Sequence, residues 1–352
     1  MRNRFSEGKK YMQKVTIRDV ADVAKVSTTT VSHVINKTRF VEKPTEQRVL
    51  KAINELGYMI NGVARGLRSG RTNIIGLVLP DVSNPFFAEF ARLIEDYGFE
   101  TGYTVILCNS DNHIDKQRAY LNLLISTGVD GIIYISSGGD NESIDMLKKH
   151  HMPFVFADRE LPEGISDTVL IDNEQGGYDA TCHLIGLGHC EIACIIGPDN
   201  LAPSMDRQKG YMRALEDHGI RYNPDLVIKG NFDIRSGTDA FELMYARSVV
   251  PTAVFATNDM MAIGWIEAAQ RRGYLIPNDI SVVGFDNIQL SSLISPSLTT
   301  VAQPIEAISH QIIDLIIKRI STSDVIKASR IVLKTSLIIR ESSGMCKKGG
   351  IR

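Results

Sequence analysis

Residues 26–36 read VSTTTVSHVIN, three consecutive threonines inside a stretch with helical spacing. β-Branched side chains lose rotamer freedom against the preceding turn, so such a run is not chosen for helix propensity. Val31, Val34 and Ile35 fall on one apolar face, and Ser27 stands where an N-cap belongs. Thr28, Thr29, Thr30, Ser32 and His33 are then left turned outward. Just upstream, IRDVADVA (17–24) sets Ile17, Val20, Ala21 and Ala24 on one face behind a candidate cap at Thr16, and Lys25-Val26 makes a brief turn. Downstream, the loop NKTRFVEKP leads to a third apolar pattern from Thr45 to about Leu56, with Val49, Ile53 and Leu56 on one face and Gly57 as its stop.

Helix, tight turn, helix and supporting helix make an all-α helix-turn-helix head over residues 15–60. Short polar side chains let a helix sit close in a DNA major groove, where hydroxyls and an imidazole reach base edges and phosphates. Threonine methyls can also meet thymine methyls there. A solvated face on a small bundle fits the same pattern, and the helix alone does not choose. Charge adds weight to the first reading. The net charge of −2 hides 15 Lys and Arg against 6 Asp and Glu in residues 1–71, while the remainder holds 24 against 35. A basic head on an acidic body suits a polyanion at the head only.

The chain's 352 residues exceed one ordinary core, and 43% hydrophobic with 23% charged residues is a globular composition. No apolar run approaches the roughly 20 residues of a membrane span. The first 14 residues, MRNRFSEGKKYMQK, form a basic N-terminal extension without the apolar core of a secretory signal. Five cysteines fit no disulfide framework, so a cytoplasmic location is expected, with no membrane partner.

NGVARGLRSGR (61–71) is a helix-capable linker that turns Gly/Ser/Arg-rich at its end. Beyond it, buried-strand runs occur at 74–79, 103–108, 131–135, 154–157, 168–171, 192–196, 252–256 and 280–285, with amphipathic helices between them, for instance at 87–98 and 116–126. Alternating strands and helices predict an α/β body over 72–340, and so many strands predict two lobes, each with a parallel sheet. Any ligand would lie between them near the strand carboxyl ends. The tail 341–352, ESSGMCKKGGIR, is polar and Gly-rich and reads as disordered.

TIRDVADVAKVSTTTVSHVINKTRFV followed by ARGLRSGRTNIIGLVLPDVSNPFF resembles the lactose/galactose-repressor family of bacterial transcription regulators. IGLGHCEIACIIGP, DRQKGYMRAL, PTAVFATNDMMAIG, ISVVGFDN and SLTTVAQP continue the match from about Val15 to Glu341. The head is most similar to the purine- and ribose-repressor branches. The resemblance implies that Thr28, Thr29 and His33 contact bases and phosphates, with Arg39 in support. Residues 63–68 would form a hinge helix in which Leu67 is a minor-groove wedge beside Arg68. Gly66, where the family commonly has Ser, lowers helix propensity by on the order of a few tenths of a kcal/mol. Unstacking a base step is offset by wrapping more protein on bent DNA, and a lone short helix is marginal in water, so such a hinge would order only on DNA. Double-stranded operator DNA, pseudo-palindromic and bound by a homodimer, is the implied partner. The tail lacks the apolar heptads of a tetramer-forming appendage, which favours the dimer.

The body is similar to the family's effector domain and to ribose-type periplasmic binding proteins. The matching positions are Asn84, Phe86, Phe87, Asp158, Arg159, Arg207, Phe232, Asn258, Asp286 and Gln303. All fall at or after predicted strand ends. Aromatic faces beside amides, carboxylates and arginines suit a small polyhydroxylated ligand, so a ribose-like monosaccharide is the expected effector, with a purine or other small metabolite as the alternative. Purine-binding members do not carry NPFF at that strand end. Phe86 and Phe87 also fit helix-terminal core residues, and Arg207 with Asp286 also fits a structural ion pair.

CHLIGLGHCEIAC (182–194) gathers Cys182, His183, His189, Cys190 and Cys194 without metal-ligand spacing, so no metal is expected, and Cys182 and Cys194 read as small core residues. No dinucleotide, phosphate-loop, nucleophile-elbow or zinc-protease motif is present, so neither enzyme activity nor a cofactor is expected. A transport binding protein would need no basic head. The sequence leaves open the effector's identity, whether it induces or corepresses, and the operator.

Overall fold

The computed structural model describes residues 15–58, 71–135, 141–158, 164–322 and 327–347. The chain divides into two compact units, 1–72 and 73–352. The expected N-terminal extension, the last two residues of the expected head (59–60) and residues 61–70 of the linker, with Leu67 and Arg68, lie outside the described residues, as does Arg159.

The head is built from α1 (Ile17–Ala24), α2 (Thr28–Asn36) and α3 (Lys43–Leu56). Thr16 and Asp19 form a reciprocal capping box that starts α1, and Lys25, at φ 55°, ends it in a left-handed turn. Val20, Ala21, Ala24, Val31, Val34, Val49 and Ala52 are buried together, and Ile17, Ile35, Ile53 and Leu56 pack around them half-buried. A seven-residue core of small and branched side chains leaves little room for slack, so the angle between α1 and α2 is set by contact.

The second unit holds two six-stranded sheets. In the first, the order is β11-β5-β4-β3-β1-β2, from β1 (Ile74–Leu79), β2 (Thr104–Asn109), β3 (Gly131–Tyr134), β4 (Phe154–Ala157), β5 (Asp167–Ile171) and β11 (Arg330–Leu333). In the second it is β12-β10-β9-β8-β6-β7, from β6 (Ile192–Ile196), β7 (Val227–Lys229), β8 (Ala253–Ala256), β9 (Ser281–Asp286), β10 (Thr299–Ala302) and β12 (Ser336–Ile338). Every pairing is parallel except β10 with β12. The helices are α4 (Pro85–Glu100), α5 (Ile114–Thr127), α6 (Asn141–Lys149), α7 (Asn173–Gly186), α8 (Ala202–Asp217), α9 (Ile234–Ala246), α10 (Asp259–Arg271) and α11 (Ile305–Ser321). The chain passes between lobes three times, after β5, after β10 and between β11 and β12. Loops at the carboxyl ends of both sheets therefore face one interlobe cleft, the usual ligand position for open parallel sheets.

Three expectations need correction. Hydropathy predicts a buried strand at 103–108, but β2 lies at the sheet edge, with Ile106 and Leu107 exposed. An edge strand is covered by fewer neighbours than hydropathy alone suggests. Four strands, β7, β10, β11 and β12, were not expected. Three are short sheet-edge elements, and β10 hides its centre behind the buried Thr299 and Thr300. The third correction concerns the tail, which is fixed through residue 347. Val282 N donates to Ser342 O at 2.7 Å, Ser342 Oγ donates to Val282 O at 2.6 Å, and Thr299 N donates to Ser342 Oγ at 2.8 Å. The amino ends of β9 and β10 present peptide groups that must be satisfied, and the polar Ser-Ser-Gly run satisfies them. Polarity here marks a hydrogen-bonding strap.

Candidate functional site

On the head, Ser27 Oγ caps α2 by accepting from Thr30 N at 3.1 Å, and the two hydroxyls lie 2.9 Å apart. This settles the threonine run. Thr30 is half-buried and is the residue that the Ser27 cap engages, while Thr28 and Thr29 are exposed. Ser32 and His33, expected on the outer face, are half-buried as well. His33 Nδ1 pairs with Thr38 Oγ1 at 2.8 Å, which ties the following loop, with exposed Arg39, to the helix.

In the body, a cavity of about 400 Å³ opens between the lobes. Asn84, Phe86, Phe87, Asp158, Arg207, Phe232, Asn258, Asp286 and Gln303 all line it. Every expected effector position among the described residues thus comes to one place. Asn84 caps α4 by accepting from Phe86 N at 3.0 Å, which fixes Phe86 and Phe87 at the cavity edge with their rings 5.2 Å apart and nearly perpendicular. Asn258 caps α10 in the same way, accepting from Met261 N at 2.9 Å, and donates to Phe232 O at 2.9 Å. Five lining residues have positive φ: Asp111 at 52°, Asn112 at 58°, Asp158 at 65°, Phe232 at 62° and Asp286 at 113°. Such strain in non-glycine residues clusters where side chains must be aimed.

Arg207 is the centre of the polar network. Its Nε donates to Asn173 Oδ1 at 2.8 Å, and its Nη1 donates to Thr257 O at 2.6 Å and Asp286 Oδ1 at 3.3 Å. The guanidinium lies 3.7 Å from the centre of the Phe285 ring. Helices α7 and α8 approach so closely that a methyl on Gly177 would run into the Arg207 carbonyl, and one on Gly210 into the Glu174 carbonyl. That contact brings Asn173 and Arg207 together. Gln303 Nε2 also donates to Asp286 Oδ1, at 2.7 Å. Burial pushes the Asp286 carboxyl up to about 6, against the opposing pull of Arg207 and the Gln303 amide. Burial likewise pulls Arg207 down, against the nearby carboxylates, so desolvation outweighs attraction in this pair. Behind them, Asp259 lies well above the usual carboxylate range through burial and the neighbouring Asp286 charge.

The sequence reading missed Asp81, Asp111, Asn112, Asn200 and Asn231, which also line the cavity. Each follows a strand by a few residues, and the left-handed φ of 52° and 58° at Asp111 and Asn112 is invisible without the fold. The 182–194 cluster spends its imidazoles elsewhere. His183 Nε2 pairs with Ser343 Oγ at 2.9 Å, and His189 bridges Thr252 Oγ1 at 3.1 Å and Ser281 Oγ at 3.0 Å. Cys194 is buried in the core and Cys182 half-buried.

Residues 72–341 match the model for periplasmic binding proteins and the sugar-binding domain of the LacI family, and residues 16–61 match that of the bacterial regulatory proteins of the lacI family. The chain is 40% identical over 306 residues to the HTH-type transcriptional repressor PurR of Aliivibrio salmonicida, covering 87% of this chain and 92% of that one. Among solved structures, it is similar to a LacI-family regulator from Enterococcus faecium with bound ribose. That match has 33% identity and a TM-score of 0.70, over 77% of this chain and 98% of that one. It is also similar to the lac repressor dimer bound to operator and an anti-inducer, at 26% identity and a TM-score of 0.83, over 94% of this chain and 100% of that one. With both its head and its body matched along their lengths, the chain belongs to the LacI family of ligand-responsive, DNA-binding bacterial transcriptional repressors.

Proposed function

We propose that this repressor is controlled by a pentose of ribose type held in the interlobe cleft, and that its dimer releases or grips a pseudo-palindromic operator accordingly. One observation carries the reading: aromatic faces from both lobes border a cavity whose polar lining is amides, carboxylates and one arginine, with three prolines and Leu201 completing the wall. A sugar stacks its C–H faces on rings and presents a donor-acceptor pair at every hydroxyl. Asp286, Gln303 and Arg207, hydrogen-bonded to one another through Asp286, offer that mixture beside Asn258. On this reading Phe86, Phe87 and Phe232 bear the ring faces, Asn84 with Asp158 completes the first lobe's wall, Arg159 also contacts the effector, and Thr28, Thr29, His33, Arg39, Leu67 and Arg68 meet DNA. Ligand closure of the lobes would shift operator affinity by a coupling of roughly 1–3 kcal/mol.

A purine effector is the second reading, favoured by the 40% identity with PurR. Calorimetric titration of the full-length protein with D-ribose, other pentoses, hypoxanthine and guanine separates them. Pentose heat with silent purines is expected, and purine binding without pentose binding overturns the proposal.

The pH dependence follows from Asp286. Sugar hydroxyls donate to its carboxylate, the form that dominates above about 6. Affinity for a neutral pentose is therefore full above that value and falls as pH drops through it, by at most about tenfold per pH unit. Without ligand the stability effect has the opposite sign, because a carboxyl raised from 3.8 to about 6 weakens the fold as pH climbs through that window. Titrations across this range check the first claim, and Asp286→Asn should flatten the profile.

A further inference from the structure

The Phe232 ring rests on Gly197, which follows β6. A methyl built on Gly197 would fall far inside contact distance of the ring's outer edge, 2.6 Å from even Cε2, the farthest of the three nearest atoms. The ring thus occupies the volume that any other residue at 197 would fill. Its loop cannot easily retreat, since it is pinned at successive residues. Gly230 N donates to Ile196 O at 2.6 Å, Asn231 N to Ser236 Oγ at 2.9 Å, and Asn258 Nδ2 to Phe232 O at 2.9 Å. Asp233 caps α9 by accepting from Ser236 N at 2.7 Å. The loop is also anchored to the end of the strand that carries Gly197, so the two cannot drift apart.

We propose that Gly197 is a positioning residue for effector selection, one that sets how far the Phe232 ring recedes into the wall of the second lobe. The inference rests on the pentose reading of the same cavity. A side chain at 197 drives the ring away from β6 and into the cleft, because the pinned backbone leaves the ring torsions as the soft coordinate. The cavity then narrows where a sugar face would stack. A contrast supports this: a methyl on Gly177 would meet the Arg207 backbone and disturb the helix crossing, whereas one on Gly197 meets a side chain that can swing. Substitution at 197 should therefore cost ligand rather than fold.

The test is calorimetric titration of D-ribose into full-length wild type, Gly197→Ala, Phe232→Leu and the double variant, with thermal melting beside it. Gly197→Ala is expected to weaken ribose binding about tenfold or more, as overpacking of a fitted site does, while melting stays within about 4 °C of wild type. In the Phe232→Leu background the same change should add less than about twofold, because the ring it acts through is gone. Wild-type affinity in Gly197→Ala overturns the proposal, and so do additive losses in the double variant or a collapse in melting temperature. A wild-type protein that binds no pentose fails the earlier reading and removes this one with it, a result told apart by the wild-type titration alone.

Discussion

Arg207→Ala is expected to abolish effector binding and lower stability by roughly 3–5 kcal/mol, the usual cost of removing one partner of a buried ion pair. The residue is 5% exposed, and its guanidinium serves Asn173, the Thr257 carbonyl and Asp286 while stacking on Phe285. Truncation takes the guanidinium donor from all three acceptors, although Asp286 keeps the Gln303 amide. The carboxyl then rises further and holds its proton, which removes the carboxylate acceptor that the proposed sugar would use. Arg207→Lys should not rescue binding, because a single ammonium cannot reproduce the planar fork that addresses Asn173 on one side and Asp286 on the other. Calorimetry and melting of the purified variants give both numbers. An undiminished ligand response would show that Arg207 with Asp286 is a structural pair.

The second large effect belongs to the head. Changing Thr29 and His33 together to alanine should cost about 1–3 kcal/mol for each lost base contact in every half-site, so a dimer loses at least a hundredfold in specific affinity. Arg39→Ala should behave differently. If Arg39 supports the head through the phosphates as proposed, the change weakens binding to all sequences alike and reduces the slope of log affinity against log salt by about one per head. The hydrogen bond from His33 to Thr38 complicates the imidazole, because alanine there also loosens the loop that carries Arg39. His33→Gln and Thr38→Ala separate the two roles. Gel retardation against operator and scrambled duplex at several salt concentrations reads all of these. Survival of operator preference in the double alanine variant would remove the assignment of α2 as the reading helix.

Much of this molecule is local and therefore legible. Thr16 and Ser27 announce their helices because caps act within three residues, and the eight apolar runs declare strands because a strand in an open α/β sheet is commonly covered on both faces. The cleft residues were found at strand ends for the same reason, since the carboxyl ends of parallel strands gather loops on one side. Thr30, by contrast, looks identical to Thr28 and Thr29 in sequence and differs only in packing. The 342–347 strap is illegible in sequence because the Ser-Ser-Gly run has the composition of a loose end, and its partners in β9 and β10 lie more than 40 residues away.

What the sequence alone determined is the order of elements, the helix-turn-helix head, the two-lobed parallel body and the residue types that meet in the cleft. These follow from short-range periodicity and capping. Tertiary structure alone decided which hydroxyls face outward, that desolvation overrides attraction between Arg207 and Asp286, and that a glycine after β6 holds the place of the Phe232 ring. Each of those depends on what a distant segment removes from water or brings within contact, and no local pattern encodes it.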